Sequence, residues 1–204
     1  EALGWIEQAE TFGRPFRIAL PTYAYLACYS AAGASLGVRA ESAELPKGTA
    51  RTQVLPADPA AVVRLLERLA DRRHAYVLGV DWFRLPFPGD RQNWTMAGWS
   101  QVIARQPMPT ACSPELRVDG ALADVAVVNA TGQPLPLPAV EVAWRGTRAL
   151  AADATTDWIA ASGPEVVTFR PHPLAGFLAP GERRVVGWVR LTEARSVEVR
   201  ILGE

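Results

Sequence analysis

A strand–helix–strand pattern between Thr52 and Phe83 constrains the fold of this chain more than any other feature. Residues Thr52 to Leu55 are typical of a strand, and Asp58 followed by Pro59 is the usual beginning of a helix. Apolar residues then recur at helical spacing from Val62 to Leu69. The run from Tyr76 to Phe83 is almost continuously apolar, which is typical of a strand buried on both faces. A βαβ unit of this kind forms a parallel sheet, so we predict an α/β fold for this part of the chain.

The residues on either side of this unit predict further elements. A helix is expected from Ala2 to Phe12, followed by a short strand from Phe16 to Leu20 that Pro21 ends. The segments Tyr23 to Tyr29 and Leu36 to Glu41 are predicted to form a hairpin that rises from the end of that strand. A last helix is predicted to begin near Thr95 and to end before Pro107.

From Pro107 onwards the sequence predicts an all-β region. Prolines form a linker, and short strands separated by Gly and Pro turns follow, a pattern that favours a β-sandwich. We therefore predict two domains, an α/β domain over residues 1–108 and an immunoglobulin- or fibronectin-like β-sandwich over residues 109–204. The predicted strands are Leu116 to Val118, Ala123 to Asn129, Ala139 to Trp144, Val166 to Phe169, Arg183 to Leu191 and Val197 to Leu202.

Charge and composition argue against several classes of function. The chain has 21 basic and 21 acidic residues, so no net positive field attracts nucleic acid. No apolar run approaches the roughly 20 residues of a membrane-spanning helix. The two histidines and two cysteines have no metal-ligand spacing, and no nucleotide-binding motif is present, so we predict neither a metal nor a cofactor. Cys28 and Cys112 are compatible either with one disulfide or with two buried thiols.

Several fragments of the sequence resemble one bacterial protein family. They are ALPTYAY, the GVRAE stretch, ADPAAVVRLL, GVDWFRLPFPGDRQNW and LAPGERRVVGWVRL. Together they are similar to the domain-of-unknown-function family numbered three-one-four-two, which in turn resembles TIM-barrel glycoside hydrolases. The resemblance implies that residues 1–108 are the C-terminal portion of a (β/α)8 TIM-like barrel, with the strands that begin at Phe16, Thr52 and Tyr76 as its last three.

The proposed strand ends carry the candidate binding residues. In TIM barrels the active site lies at the C-terminal ends of the strands. Aromatic rings pack on the apolar faces of sugars, while Arg, Asn and Asp side chains bind hydroxyl groups, so we expect a sugar-binding groove there. The alternative is that Tyr23, Tyr25 and Trp82 fill the barrel mouth and that Arg84 pairs with Asp90 to fix the loop. The candidate substrate-binding residues are Tyr23, Tyr25, Trp82, Arg84, Asp90, Arg91, Asn93 and Trp94.

Glycoside hydrolysis requires two facing carboxyl groups, roughly 5–10 Å apart. Glu41 and Asp81 are the catalytic candidates, with Glu44 and Asp90 as further acids near the proposed groove. The alternative is that Glu41 and Glu44 lie on a solvated hairpin. Among the tryptophans of the β region, Trp158 is predicted to lie on a loop and to be the one best suited to a carbohydrate platform.

These observations predict a glycoside-hydrolase-like protein that binds or cleaves a bacterial glycan in the periplasm or cell envelope. The alternative is a non-catalytic envelope scaffold or carbohydrate-binding protein whose barrel has lost its carboxylate pair. Because the sequence opens inside a predicted helix, we expect an N-terminal barrel segment upstream. Either that segment or a second copy is expected to cover the open edge of the strand Phe16 to Leu20.

Overall fold

The structure of the protein is a computed structural model, and it describes residues 2–40, 44–72, 74–109, 111–193 and 196–203. Residues 2–109, here called the N-terminal region, contain three helices and five strands. The elements are α1 (Ala2–Glu10), β1 (Phe16–Pro21), β2 (Tyr25–Tyr29), β3 (Ser35–Arg39), β4 (Arg51–Leu55), α2 (Pro59–Asp71), β5 (Val77–Phe83) and α3 (Met96–Ile103).

The remaining strands form what we call the C-terminal sheets. They are β6 (Ser113–Asp119), β7 (Leu122–Val128), β8 (Leu135–Pro136), β9 (Ala139–Trp144), β10 (Ala149–Ala154), β11 (Trp158–Ser162), β12 (Val166–Pro171), β13 (Phe177–Leu178), β14 (Arg183–Leu191) and β15 (Val197–Leu202).

Strands β1 and β5 form a two-stranded parallel sheet, and α2 and α3 cover one of its faces. Ala19 lies opposite Asp81 and Leu20 opposite Trp82 in the register. Because side chains alternate along a strand, Leu20 and Trp82 face the helices, where they pack with Val62 and Val102. The carboxyl ends of the two strands therefore meet at one edge of this small core.

The helix boundaries follow the predicted capping chemistry. The Asp58 side chain accepts a hydrogen bond from the Ala60 N–H, and Pro59 occupies the first turn of α2. The Thr95 hydroxyl accepts a hydrogen bond from the Gly98 N–H at the beginning of α3. Both side chains satisfy backbone donors that a helix leaves unpaired at its N-terminus. The predicted cap at Asp58 and the predicted beginning of a helix near Thr95 are confirmed.

The predicted hairpin is also present, but it belongs to a separate sheet. β2 pairs antiparallel with β3 on one side and with β4 on the other. Strand β4 is thus the third strand of an antiparallel sheet and does not join β5.

The prediction of a TIM-like barrel, as the C-terminal portion of a (β/α)8 fold, is wrong. The structure is rich in β-strands, and in the described ranges parallel pairing is limited to β1 with β5. The βαβ prediction required β4 and β5 to be neighbours in one sheet. Helix α2 does lie between β4 and β5 in the chain, but β4 pairs with β2 in a different sheet. The sequence pattern fixes the types of the elements and leaves the choice of strand partner open.

The prediction that the last strand of this region is buried on both faces is wrong as well. In β5 the side chains of Leu78 and Phe83 are 65% and 59% exposed, and Asp81 is exposed too. β5 therefore carries more apolar side chains than its contacts within the chain bury.

The C-terminal sheets are consistent with the predicted β-sandwich. One sheet has the strand order β10-β14-β7-β6 and the other β11-β12-β9-β15, with antiparallel pairing throughout. Val125 and Val189 from the first sheet share a fully buried core with Val140 and Phe169 from the second. All six predicted strands are present, and the predicted division at residues 108 and 109 stays a prediction.

Strands β10 and β11 were not predicted, and their presence corrects one assignment. Trp158 begins β11 rather than lying on a loop, is 3% exposed, and donates its indole N–H to the Pro138 carbonyl. Because the ring is enclosed in the core, Trp158 does not present a carbohydrate platform. Cys28 and Cys112 are free thiols rather than a disulfide.

Close backbone contacts join the N-terminal region to the C-terminal sheets. The Thr95 N–H donates to the Gly132 carbonyl at 2.8 Å, and the Thr52 N–H donates to the Pro173 carbonyl at the same distance. A Cβ atom on Gly98 would lie 2.9 Å from the Gly132 carbonyl oxygen. Glycine at position 98 therefore allows α3 to approach the turn that contains Gly132. None of the described helices is long and apolar enough to cross a membrane.

The junction makes a prediction about stability. We expect Gly98→Ala to lower the free energy of unfolding by about 1–3 kcal/mol, because the added methyl group meets backbone atoms. Gly4→Ala is the matched control, since Gly4 also lies in a helix and has no atom within 4 Å of an added Cβ. The control should be neutral or stabilising by up to about 1 kcal/mol. Urea unfolding of both variants measures the difference, and equal stability of the two variants would contradict the close contact.

Candidate functional site

A buried group of hydrogen bonds joins the carboxyl ends of β1 and β5. The Thr22 N–H donates to the Phe83 carbonyl at 3.1 Å, and the Thr22 hydroxyl donates to the Arg84 carbonyl. The Asn93 side-chain amide also donates to the Arg84 carbonyl, at 3.3 Å. Thr22 and Asn93 are both completely buried. The loop that follows β5 is therefore held against the end of β1.

The end of the same loop returns along the segment that follows β1. The Trp94 N–H donates to the Thr22 carbonyl at 2.8 Å, and the Ala24 N–H donates to the Gln92 carbonyl at 2.7 Å. Tyr23 and Asn93 form an isolated antiparallel bridge. These contacts fix both ends of residues 84–93 and leave the centre of the loop at the surface.

Arg84 and Asp90 form an ion pair inside this loop. The Arg84 Nη2 atom donates to Asp90 Oδ2 at 2.5 Å, and the Gln92 N–H donates to Asp90 Oδ1 at 3.1 Å. The Asp90 side chain is only 5% exposed, whereas that of Arg84 is 31% exposed. The predicted pairing of Arg84 with Asp90, one part of that alternative, is thus confirmed.

Aromatic rings surround the Arg84 guanidinium. The guanidinium carbon lies 5.3 Å from the centre of the Phe87 ring and 6.0 Å from that of Tyr23. The Tyr23 ring in turn lies 4.7 Å from the Tyr25 ring and 5.9 Å from the Phe83 ring, and the two tyrosine hydroxyls are 2.5 Å apart. We call these five residues, Tyr23, Tyr25, Phe83, Arg84 and Phe87, the strand-end cluster.

The members of the strand-end cluster differ in exposure. Tyr23 is 6% exposed, and its ring packs against those of Tyr25 and Phe83. Phe83 and Phe87 are more than half exposed, and Tyr25 is half-buried. Two apolar rings of this size at the surface, beside a partly exposed cation, are typical of a binding surface.

Trp82 and Trp94 lie on the other side of the sheet. Their ring centres are 6.4 Å apart, and Trp82 also packs edge-on against Trp99 at 6.0 Å. Trp94 is 1% exposed and donates its indole N–H to the Ala57 carbonyl. These two predicted binding residues belong to the core between β5 and the helices, and Asn93 belongs to the buried hydrogen bonds described above.

Among the described candidate acids, Asp81 and Asp90 each bind a different arginine. Asp81 lies on the face of β5 that points away from the helices, where Arg17 Nε donates to its Oδ1 at 2.8 Å. Asp90 is enclosed by Arg84 and the Gln92 N–H. Glu44 is exposed, and Glu41 lies outside the described residues. Within the described ranges, no group of His, Cys, Asp and Glu side chains could hold a metal ion.

Arg91 connects the loop to the C-terminal sheets. Its Nη2 atom donates to Glu182 Oε2 at 2.9 Å, while Glu182 also accepts from Arg184 and from the Ala179 N–H. Partial burial raises the pKa of the Glu182 carboxyl, but the Ala179 N–H, Arg184 and Arg91 together lower it more. The net pKa of Glu182 therefore lies below its ordinary value.

Sequence reasoning missed three members of this arrangement. The sequence places Phe83 at the end of a predicted strand and Phe87 in the loop that follows it, and it assigns no role to Glu182. The Phe83 position at a strand end was available as a signal, since neighbours of a predicted site residue share its surface. The contact between Arg91 and Glu182 spans 91 residues, and no local pattern predicts it.

Part of the resemblance is supported by comparison with known proteins. Residues 1–88 match the model of a family described as a domain of unknown function (DUF3142). The match ends before the loop residues 89–94 and does not include the LAPGERRVVGWVRL stretch. It gives no support to the glycoside-hydrolase resemblance. No match to the chain is found among curated proteins or among solved structures.

The ion pair in the loop predicts an unequal response to two similar substitutions. We expect Asp90→Asn to lower the free energy of unfolding by about 1–3 kcal/mol, because it removes a charged acceptor from Arg84 in a largely enclosed setting. The control Asp81→Asn should cost less than about 1 kcal/mol, since its pair with Arg17 is half exposed. Chemical denaturation measures both values, and a larger loss for Asp81→Asn would contradict the assignment.

The lowered pKa of Glu182 predicts a pH-dependent stability. A carboxyl whose pKa is lower in the folded state stabilises the protein above its unfolded pKa of about 4.3. That stabilisation is lost as the pH falls through the lower, folded value. We expect Glu182→Gln to be less stable than the unmodified protein by about 1–3 kcal/mol at pH 7, with the difference shrinking in acid.

Thermal unfolding between pH 3 and pH 7 measures this difference. Glu115→Gln is the control, because Glu115 forms a half-exposed pair with Arg183 within one sheet. A Glu182→Gln difference that stays constant over the whole pH range would show that the carboxyl charge is not involved.

Proposed function

We propose that this protein binds a bacterial glycan at the strand-end cluster without cleaving it. The observation that carries the proposal is the position of the Arg84 guanidinium between the Tyr23 and Phe87 rings, with Phe83 and Tyr25 beside them. An envelope location belongs to the same proposal, because glycans of this kind are displayed there.

The chemistry of the cluster suits a sugar. The exposed Phe83 and Phe87 rings offer apolar faces to the C–H groups of a pyranose, and Arg84 offers N–H donors to its hydroxyl groups. The Tyr25 hydroxyl, which lies 2.5 Å from that of Tyr23, is a further hydrogen-bonding group. The loop is fixed at both ends and by the Arg84–Asp90 pair, so little conformational entropy would be lost on binding.

The positions of the acids favour binding over hydrolysis. A glycosidase needs one carboxyl group as an acid and a second as a base or nucleophile, facing each other across the substrate. Asp90 is already engaged on both of its oxygens, and Asp81 pairs with Arg17 on the face of the sheet that points away from the helices. These two acids therefore do not supply the required pair, and a non-catalytic role is the better account of them.

Binding to soluble bacterial polysaccharides tests the proposal. In affinity electrophoresis or calorimetry we expect the unmodified protein to bind at least one polysaccharide, and Phe87→Ala to weaken that binding about tenfold, which corresponds to about 1.4 kcal/mol. Binding weakens because the variant lacks the Phe87 ring on which the sugar would pack. Tyr25→Ala should weaken binding in the same direction, because it removes a neighbouring ring and hydroxyl.

The matched control is Phe12→Ala. Phe12 is 75% exposed and lies before β1, at the opposite end of the strands from the cluster, so its removal should leave the affinity unchanged. Equal losses from Phe12→Ala and Phe87→Ala, or no binding to any polysaccharide, would contradict the proposed site. Release of reducing sugar in the same samples would contradict the absence of cleavage.

A further inference from the structure

The face of the β1–β5 sheet that points away from the helices is exposed. We call it the outer face, and it consists of Arg17, Ala19, Pro21, Gly79, Asp81 and Phe83. Parallel sheets occur almost only where both of their faces are covered. In the described part of the chain, α2 and α3 cover the inner face, while Arg17, Ala19, Asp81 and Phe83 remain exposed.

The sequence of β5 independently indicates that a cover exists. The residues VLGVDWF are those of a strand buried on both sides, yet Phe83 is 59% exposed and Leu85, just beyond the strand, is 55% exposed. Large apolar side chains that lie next to each other at a surface are typical of an interaction site. The outer face is therefore suited to a partner that presents an apolar surface to the end of β5.

The charges of the outer face complement those of the same face on another copy. It carries one cation and one anion, Arg17 and Asp81, with Ala19 directly opposite Asp81 in the register. The Arg17 side chain is 50% exposed and that of Asp81 56%, so both keep surface available for a second contact. Ala19 is small, and the Arg17 guanidinium lies over Gly79, with its Nη2 atom 3.4 Å from the position of a Cβ there.

We propose that a second copy of this chain packs on the outer face, sheet against sheet about a two-fold axis. The axis is placed so that Arg17 of one copy lies opposite Asp81 of the other, and an isologous interface then repeats this contact in the opposite direction. The two ion pairs then form one alternating cluster of four charges, flanked by Phe83. The sequence predicts an upstream segment or a second copy at the open edge of the strand Phe16 to Leu20. For the outer face, a second copy is favoured by this self-complementarity. The proposal does not depend on glycan binding, although Phe83 belongs both to the outer face and to the strand-end cluster.

Reversal of the charges tests the interface directly. We expect sedimentation equilibrium to show a concentration-dependent dimer of the unmodified chain. Arg17→Asp, and separately Asp81→Arg, should raise the dimer dissociation constant at least about tenfold, since each places like charges opposite each other. The double variant with Arg17→Asp and Asp81→Arg should restore the dimer, because the exchanged charges are again complementary. Each variant should remain folded, as an exposed ion pair contributes about 0–1 kcal/mol.

The control is Arg183→Asp, which breaks a pair of the same length and similar exposure in the C-terminal sheets. Arg183 Nε lies 2.8 Å from Glu115 Oε2, and the two side chains are 51% and 49% exposed. The Arg183→Asp variant should have the same dimer dissociation constant as the unmodified chain. A chain that is monomeric at every concentration, or that binds only a different protein, would overturn the proposal. A dimer that neither single charge reversal weakens would overturn it as well.

Discussion

The N-terminal region depends on the Arg84 carbonyl oxygen, which accepts hydrogen bonds from both Thr22 and Asn93. Both donors are fully buried, and each comes from a different segment. If either side chain were apolar, this carbonyl would lose one of its two hydrogen bonds, at a cost of about 0.5–1.5 kcal/mol. The hydrogen bonds to the Arg84 carbonyl hold the loop between β5 and α3 against the end of β1. They therefore help to set the positions of Tyr23, Arg84 and Phe87.

This arrangement also explains why Asn93 and Trp94, two of the eight predicted binding residues, are buried. A loop that is held at both ends must use its terminal side chains for its own support. Asn93 and Trp94 carry out that role, as does Asp90 through Arg84. The surface available to a ligand is left to residues at the centre of the loop and at the strand ends, and Phe83 and Phe87 are the most exposed of these rings.

Local chemistry was predictable from the sequence, and partner choice was not. Asp58 and Thr95 identified two helix N-termini because capping depends on residues only two or three positions apart. β10 and β11 were missed because ALAADA and WIAAS are rich in alanine, which has a low strand propensity. The barrel prediction failed because pairing of β4 with β2, rather than with β5, depends on contacts with distant segments such as Pro173. In the site, the pairing of Arg84 with Asp90 was predictable over six residues, whereas the contact of Arg91 with Glu182 was not.

The contact between Gly98 and Gly132 has a consequence for the divergence of this sequence. The Cα atom of Gly98 lies 3.0 Å from the position of a Cβ on Gly132, and the reverse substitution meets the Gly132 carbonyl. Neither position accepts even a methyl group unless the two backbones separate. Descendants of this sequence that retain the junction should therefore keep both glycines together, and lineages that lose one should tolerate replacement of the other. These two positions, 34 residues apart in the chain, are expected to evolve as a single unit.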